Sequence, residues 1–144
     1  TKNGYIFFNF NTQVDGEVGG YIKKSQIDVF DNKLNGQLNN IILFTHHPIV
    51  EIESKWIDKH VAYNSNLLID LMHSYDNLQF SVFSGHVHQE FHKVIKNVNI
   101  FTTPSTCYQF KPNSDEYCID DKLSYGYRVI NLHDNIISTK VIRL

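Results

Sequence analysis

A chain of 144 residues and 16.8 kDa has room for one ordinary domain, and 42% hydrophobic with 13% aromatic residues excludes wholesale disorder. A net charge of −2, with no stripe of Lys and Arg, argues against a nucleic-acid-coating surface. No apolar run reaches bilayer length, no charged-then-apolar leader opens the chain, and two cysteines are too few for a disulfide framework. The expectation is therefore a soluble, cytoplasmic globular unit with no membrane or nucleic-acid partner.

In chain order, Thr1-Lys2-Asn3-Gly4 passes at once into an apolar strand over 5–10, and Met72 is the only methionine. That start suggests a piece cut at a domain seam. After a loop at Asp15-Gly16 and Gly19-Gly20, Ser25 caps a helix that carries Ile27, Phe30 and Leu34 at helical spacing. Asn35-Gly36 ends this helix. A second buried strand over 41–45 stops at His46-His47-Pro48, because proline cannot continue a ladder. Asn64 or Ser65 caps a second helix with Leu67, Leu68, Leu71 and Met72 on one stripe. A third strand over 80–83 is broken by Gly85. The pattern then changes to hairpins, 91–96 with 98–102 turning at Asn97, and 127–132 with 136–142 turning at Asp134-Asn135. Alternating strand and helix followed by antiparallel strands reads as an α/β chain with a β-rich tail.

The histidines carry the chemistry. Two of the eight, His46 and His47, end one buried strand; His86 and His88 follow another across Gly85. Side chains two apart in extended backbone point the same way, so His86 and His88 are expected to converge. Ends of neighbouring strands in an α/β sheet are where sites are built. Neutral imidazole is the commonest metal-donating side chain, so His46, His86 and His88 together supply three candidate nitrogen ligands. Alone they suffice for one zinc with an open position, and a two-metal site needs carboxylates as well.

The order apolar strand, His-x-Pro, Gly-His-x-His resembles the C-terminal half of the calcineurin-like metallophosphoesterases. It is most similar to their bacterial class III cyclic-AMP phosphodiesterase branch. The segments carrying this are Trp56-Ile57-Asp58-Lys59-His60 with Asn64, Gly85-His86-Val87-His88-Gln89-Glu90, and the run 103–112 that opens Thr103-Pro104-Ser105-Thr106-Cys107. Thr12-Gln13-Val14, Gly20 and Gln26 upstream, and Gly126-Tyr127-Arg128 near the end, add to it. The resemblance implies half of a four-layer α-β-β-α sandwich, a two-layer β-sandwich flanked by helices. It implies two divalent or mixed-valence metal ions, iron or manganese with zinc also suited, at the strand ends. By the same mapping His46 and His86 hold one metal, while His88 holds the other and meets the substrate phosphate. His47 has no ligand role and supports the site from behind.

The family's Asp-x-His, Gly-Asp and Gly-Asn-His motifs are not in this sequence, and with them go the bridging aspartate and the general acid. The chain alone is therefore expected to be inactive. The implied activity of the complete enzyme is hydrolysis of 3′,5′-cyclic AMP to 5′-AMP. Alternatives are another phosphodiester as substrate, or a non-catalytic half-domain that binds nucleotide, associates with a partner chain or forms a homodimer. Elsewhere, Cys107 reads as a buried small side chain, His60 as a loop residue with a claim through the branch resemblance, and Trp56 and Tyr63 as loop packing or purine-stacking surfaces.

Overall fold

The computed structural model describes residues 4–37, 40–134 and 136–144. Strands β1 (Tyr5–Asn9), β2 (Asn40–Thr45), β3 (Phe80–Ser84), β4 (Phe91–Ile95) and β5 (Val98–Thr102) form one sheet in the order β1-β2-β3-β5-β4. All neighbouring pairs are parallel except β4 with β5. Parallel neighbours need crossovers: α1 (Lys24–Leu34) lies between β1 and β2, α3 (Ser65–Ser74) lies between β2 and β3, and the chain from β3 to its parallel neighbour β5 passes through the edge strand β4. The central strand β2 reads as a continuous apolar run because both faces of the sheet are covered there. On one face Ile41, Leu43, Phe80, Val82, Val98 and Ile100 pack against Ile27, Phe30, Leu34, Leu68 and Met72 of the helices. On the other, Tyr5, Ile42 and Phe83 with Phe44 and Phe101 pack against Ile130, Leu132 and Ile137. Those last three belong to a two-stranded ribbon, β8 (Gly126–His133) with β9 (Ile136–Arg143). The expected α/β chain with a β-rich tail and helices outside the sheet is what forms.

Several local expectations change. The helix starts two residues earlier than a Ser25 cap implies, with Lys23 at its N-cap and no side-chain capping bond, so Ser25 lies within the first turn. Asn64 stands at the N-cap position of α3 in left-handed backbone (φ 66°) without a side-chain capping bond, Leu67 is exposed, and only Leu68 and Met72 of the stripe are buried. The hairpin over 91–102 turns at Lys96-Asn97. There the Asn97 amide donates to the carbonyls of Met72, Tyr75 and Leu78, tying the turn to the end of α3. Of the turn expected at Asp134-Asn135, Asp134 takes positive φ and Asn135 lies outside the described residues. Two small features carried no periodic signal: α2 (Lys55–Asp58), and the two-residue pairing of β6 (Gln109–Phe110) with β7 (Ile119–Asp120).

Candidate metal centre

Strands β2 and β3 run parallel and in register, with Thr45 opposite Ser84, so the residues that follow them leave the sheet side by side. The Gly85 amide donates to the His46 carbonyl (3.1 Å), which locks the two exits together. Thr45 Oγ1 donates to the His47 carbonyl and turns the chain after β2. The sequence places His86 and His88 on one extended strand, and here the structure corrects the reasoning. Both residues have left-handed backbone (φ 56° and 48°), so the alternation rule does not apply to them.

The resulting cluster differs from the expected trio. Ligand atoms of His46, His47 and His86 lie within 4.8 Å of one another. His46 Nε2 is 3.2 Å from His86 Nδ1, and His86 Nε2 is 3.1 Å from His60 Nδ1. His60 is thus a member that spacing alone does not single out. It arrives because the Asp58 carboxylate accepts from the amides of Ile52 and Ser54 and folds the 51–60 segment over the strand ends. His88 is outside the three-histidine group. Its ring stacks on Phe110 (4.9 Å, 16°) and leans on Tyr108 (4.8 Å), and its Nδ1 is buried with no hydrogen-bond partner.

His47 is held on both sides. Its Nε2 lies 3.0 Å from the Val18 carbonyl, and a carbonyl can only accept, so Nε2 is the protonated nitrogen and donates. That leaves Nδ1 to accept from Thr12 Oγ1 at 2.8 Å. Gly20 makes room for this ring, since a Cβ there would stand 2.4 Å from His47 Cγ. A cavity of about 520 Å³ opens beside the cluster, lined by His46, His47 and His86 together with Thr12, Gln13 and Val18.

The imidazoles of His47, His60, His86 and His88 are biased toward the neutral form. Burial, reinforced by the neighbouring rings of His47, His46, His60 and His88, pushes the His86 pKa down to about 3. Burial also lowers His47, opposed by its bond to the Val18 carbonyl, and lowers His60, with Lys59 adding to the effect. His88 is lowered by burial, partly offset by the nearby Tyr108 backbone. Crowded neutral imidazoles suit a divalent metal ion, and the orphaned Nδ1 of His88 is a buried polar atom that needs a partner.

No family model matches the chain. Among curated proteins it is 34% identical over 145 residues to a 3′,5′-cyclic-nucleotide phosphodiesterase of Nostoc, covering 99% of this chain and 54% of that protein. It is 35% identical over 127 residues to a 3′,5′-cyclic adenosine monophosphate phosphodiesterase of Pseudomonas aeruginosa, covering 87% and 46%. A probable cyclic nucleotide phosphodiesterase of Psychrobacter arcticus is 34% identical over 125 residues, covering 87% and 44%. The fold matches a dimetal phosphatase of Danio rerio with a TM-score of 0.55 at 15% identity, over 86% of this chain and 39% of that one. These relatives and this fold support a calcineurin-like metallophosphoesterase. The chain spans about half the length of the curated relatives it matches.

Cys107 is exposed rather than buried, because it sits in the loop before β6. Trp56 fills a loop core with Ile52, Ile57, Val87 and Phe110, while Tyr63 is 71% exposed and stacks on Tyr21. Among the described residues, no helix is long and apolar enough to cross a membrane.

Proposed function

We propose that the protein carrying this chain is a metal-dependent phosphodiesterase that hydrolyses 3′,5′-cyclic AMP to 5′-AMP. The observation that carries this is the convergence of His46, His47, His86 and His60 at the ends of β2 and β3, in a chain whose relatives are named for that activity. In this reading His46 and His86 hold one metal ion, His88 holds a second and meets the substrate phosphate, and His47 braces the cluster through Thr12. The Asp-x-His, Gly-Asp and Gly-Asn-His motifs that would supply the rest of the ligand set and the general acid are not in this sequence. Iron or manganese, with zinc also suited, match a donor set that mixes imidazoles with carboxylates.

Hydrolysis adds water across the P–O3′ bond. The water oxygen bonds to phosphorus, O3′ departs and takes up a proton, and the product keeps its phosphate on O5′. A bound divalent metal supplies positive charge for the phosphoryl oxygens and lowers the pKa of a water to near neutrality. The contribution of this chain is to present imidazoles that stay unprotonated at neutral pH, and to orient the phosphate through His88.

The test is cyclic-AMP turnover by the full gene product with manganese supplied, beside His86→Ala and His88→Ala. Appearance of AMP in the parent, with both variants reduced about 100-fold or more, supports the assignment. A parent that binds metal yet leaves cyclic AMP intact overturns the substrate, and other phosphodiesters then become the candidates.

A further inference from the structure

We infer that Tyr108 is the surface on which the nucleobase of the substrate stacks, an inference that rests on the reading of His88 as the phosphate contact. In a 3′,5′-cyclic nucleotide only the ribose separates phosphate from base. A ring that holds the base must therefore stand about one sugar away from the group that holds the phosphate.

Phe110 and Tyr108 touch the His88 ring and further aromatic side chains pack around Phe110, and packing eliminates all but one of these. Phe110 is buried and already has His88 stacked on it, with Trp56, Tyr108 and Tyr117 edge-on around it. Trp56 packs edge-on against Phe110, Tyr117 and His60 inside a loop core. Tyr117 is exposed, but its ring contacts are Trp56 and Phe110 rather than His88. Tyr63, the other aromatic with a sequence-level claim to a purine, pairs with Tyr21 instead.

Tyr108 meets both requirements. Its ring centroid is 4.8 Å from that of His88, and it is 42% exposed, so it keeps an open surface beside the phosphate contact. Phe110 meets it edge-on at 5.3 Å and 73°, which fixes the ring orientation before any ligand arrives. Stacking on such a ring favours a nucleotide over a phosphate ester without a base. It does little to separate adenine from guanine, since every base has a π-face.

The experiment measures equilibrium binding of 5′-AMP and of ribose 5-phosphate to the full gene product with manganese supplied, for the parent, Tyr108→Ala and Tyr108→Phe. Expected are a loss of about ten-fold or more in AMP affinity for Tyr108→Ala, unchanged ribose 5-phosphate binding, and near-parental AMP binding for Tyr108→Phe. The unchanged sugar phosphate also reports that the variant is folded. Equal losses for both ligands, or undiminished AMP binding by Tyr108→Ala, overturn the inference. A parent that binds ribose 5-phosphate as tightly as AMP overturns the stacking surface and leaves the phosphoesterase reading standing. A parent that binds neither overturns both.

Discussion

His86 sits at the centre of the imidazole cluster, touching His46 on one side and His60 on the other. Its pKa of about 3 means that the native protein keeps it neutral while the unfolded chain protonates it near 6.5. Between those values the unfolded state binds more protons, so the metal-free protein loses stability as pH falls from about 6.5 toward about 3. Urea unfolding of the metal-stripped chain is expected to give a lower midpoint at pH 5 than at pH 7.5, with a shallower pH slope in His86→Gln. An unchanged slope in that variant assigns the acid sensitivity elsewhere. Thr12 acts through His47: Thr12→Val leaves the buried Nδ1 without its donor and is expected to cost about 1–3 kcal/mol in chemical denaturation. Neither effect is visible in sequence. Thr12 and His47 are 35 positions apart, and a histidine pair before a proline says nothing of what its rings touch.

At the scale of elements, strands and hairpins follow from local pattern, whereas the small connectors do not. The apolar run of β2 and the residues Phe80, Val82 and Phe83 of β3, with Ser81 buried among them, identify buried strands, because a parallel sheet covered on both faces keeps nearly every side chain from water. The helix α2 has four residues and is held by the Asp58 carboxylate rather than by periodicity, so no window of sequence registers it. His60 rides on that segment, which is why its place in the cluster depends on the tertiary fold. The hairpin turn after β4 is tied to α3 by the Asn97 side chain, through three hydrogen bonds to carbonyls. Asn97→Ala is expected to destabilise by about 2–4 kcal/mol, since several carbonyls lose one shared donor. Asn97→Asp is expected to be worse, because a carboxylate facing three carbonyls repels them; thermal unfolding of the two variants ranks them.

Across the whole molecule, the sheet is gripped from both sides by unequal layers. The helical layer contributes the larger buried cluster, while the ribbon β8–β9 rests on few apolar side chains and is half exposed along its length. Arg128 fastens that ribbon, donating through Nε and Nη2 to the Thr102 carbonyl while its guanidinium lies 5.2 Å from the Phe101 ring. Native-state hydrogen exchange is expected to show β2 and β3 as the slowest amides and the ribbon as the first to open, with Arg128→Met opening the ribbon further and leaving β2 unchanged. Equal protection of ribbon and central strands is the result that contradicts this picture. By itself the sequence determined the α/β order, the principal strands, both hairpins and the concentration of histidine at two strand ends, because burial and turn chemistry act on neighbouring residues. Only the tertiary structure decided that β2 and β3 lie side by side, that His60 and His47 join His46 and His86, and that His88 turns to Phe110 and Tyr108. Those outcomes depend on strand pairing and on left-handed backbone after Gly85, which arise from contacts between residues far apart in the chain.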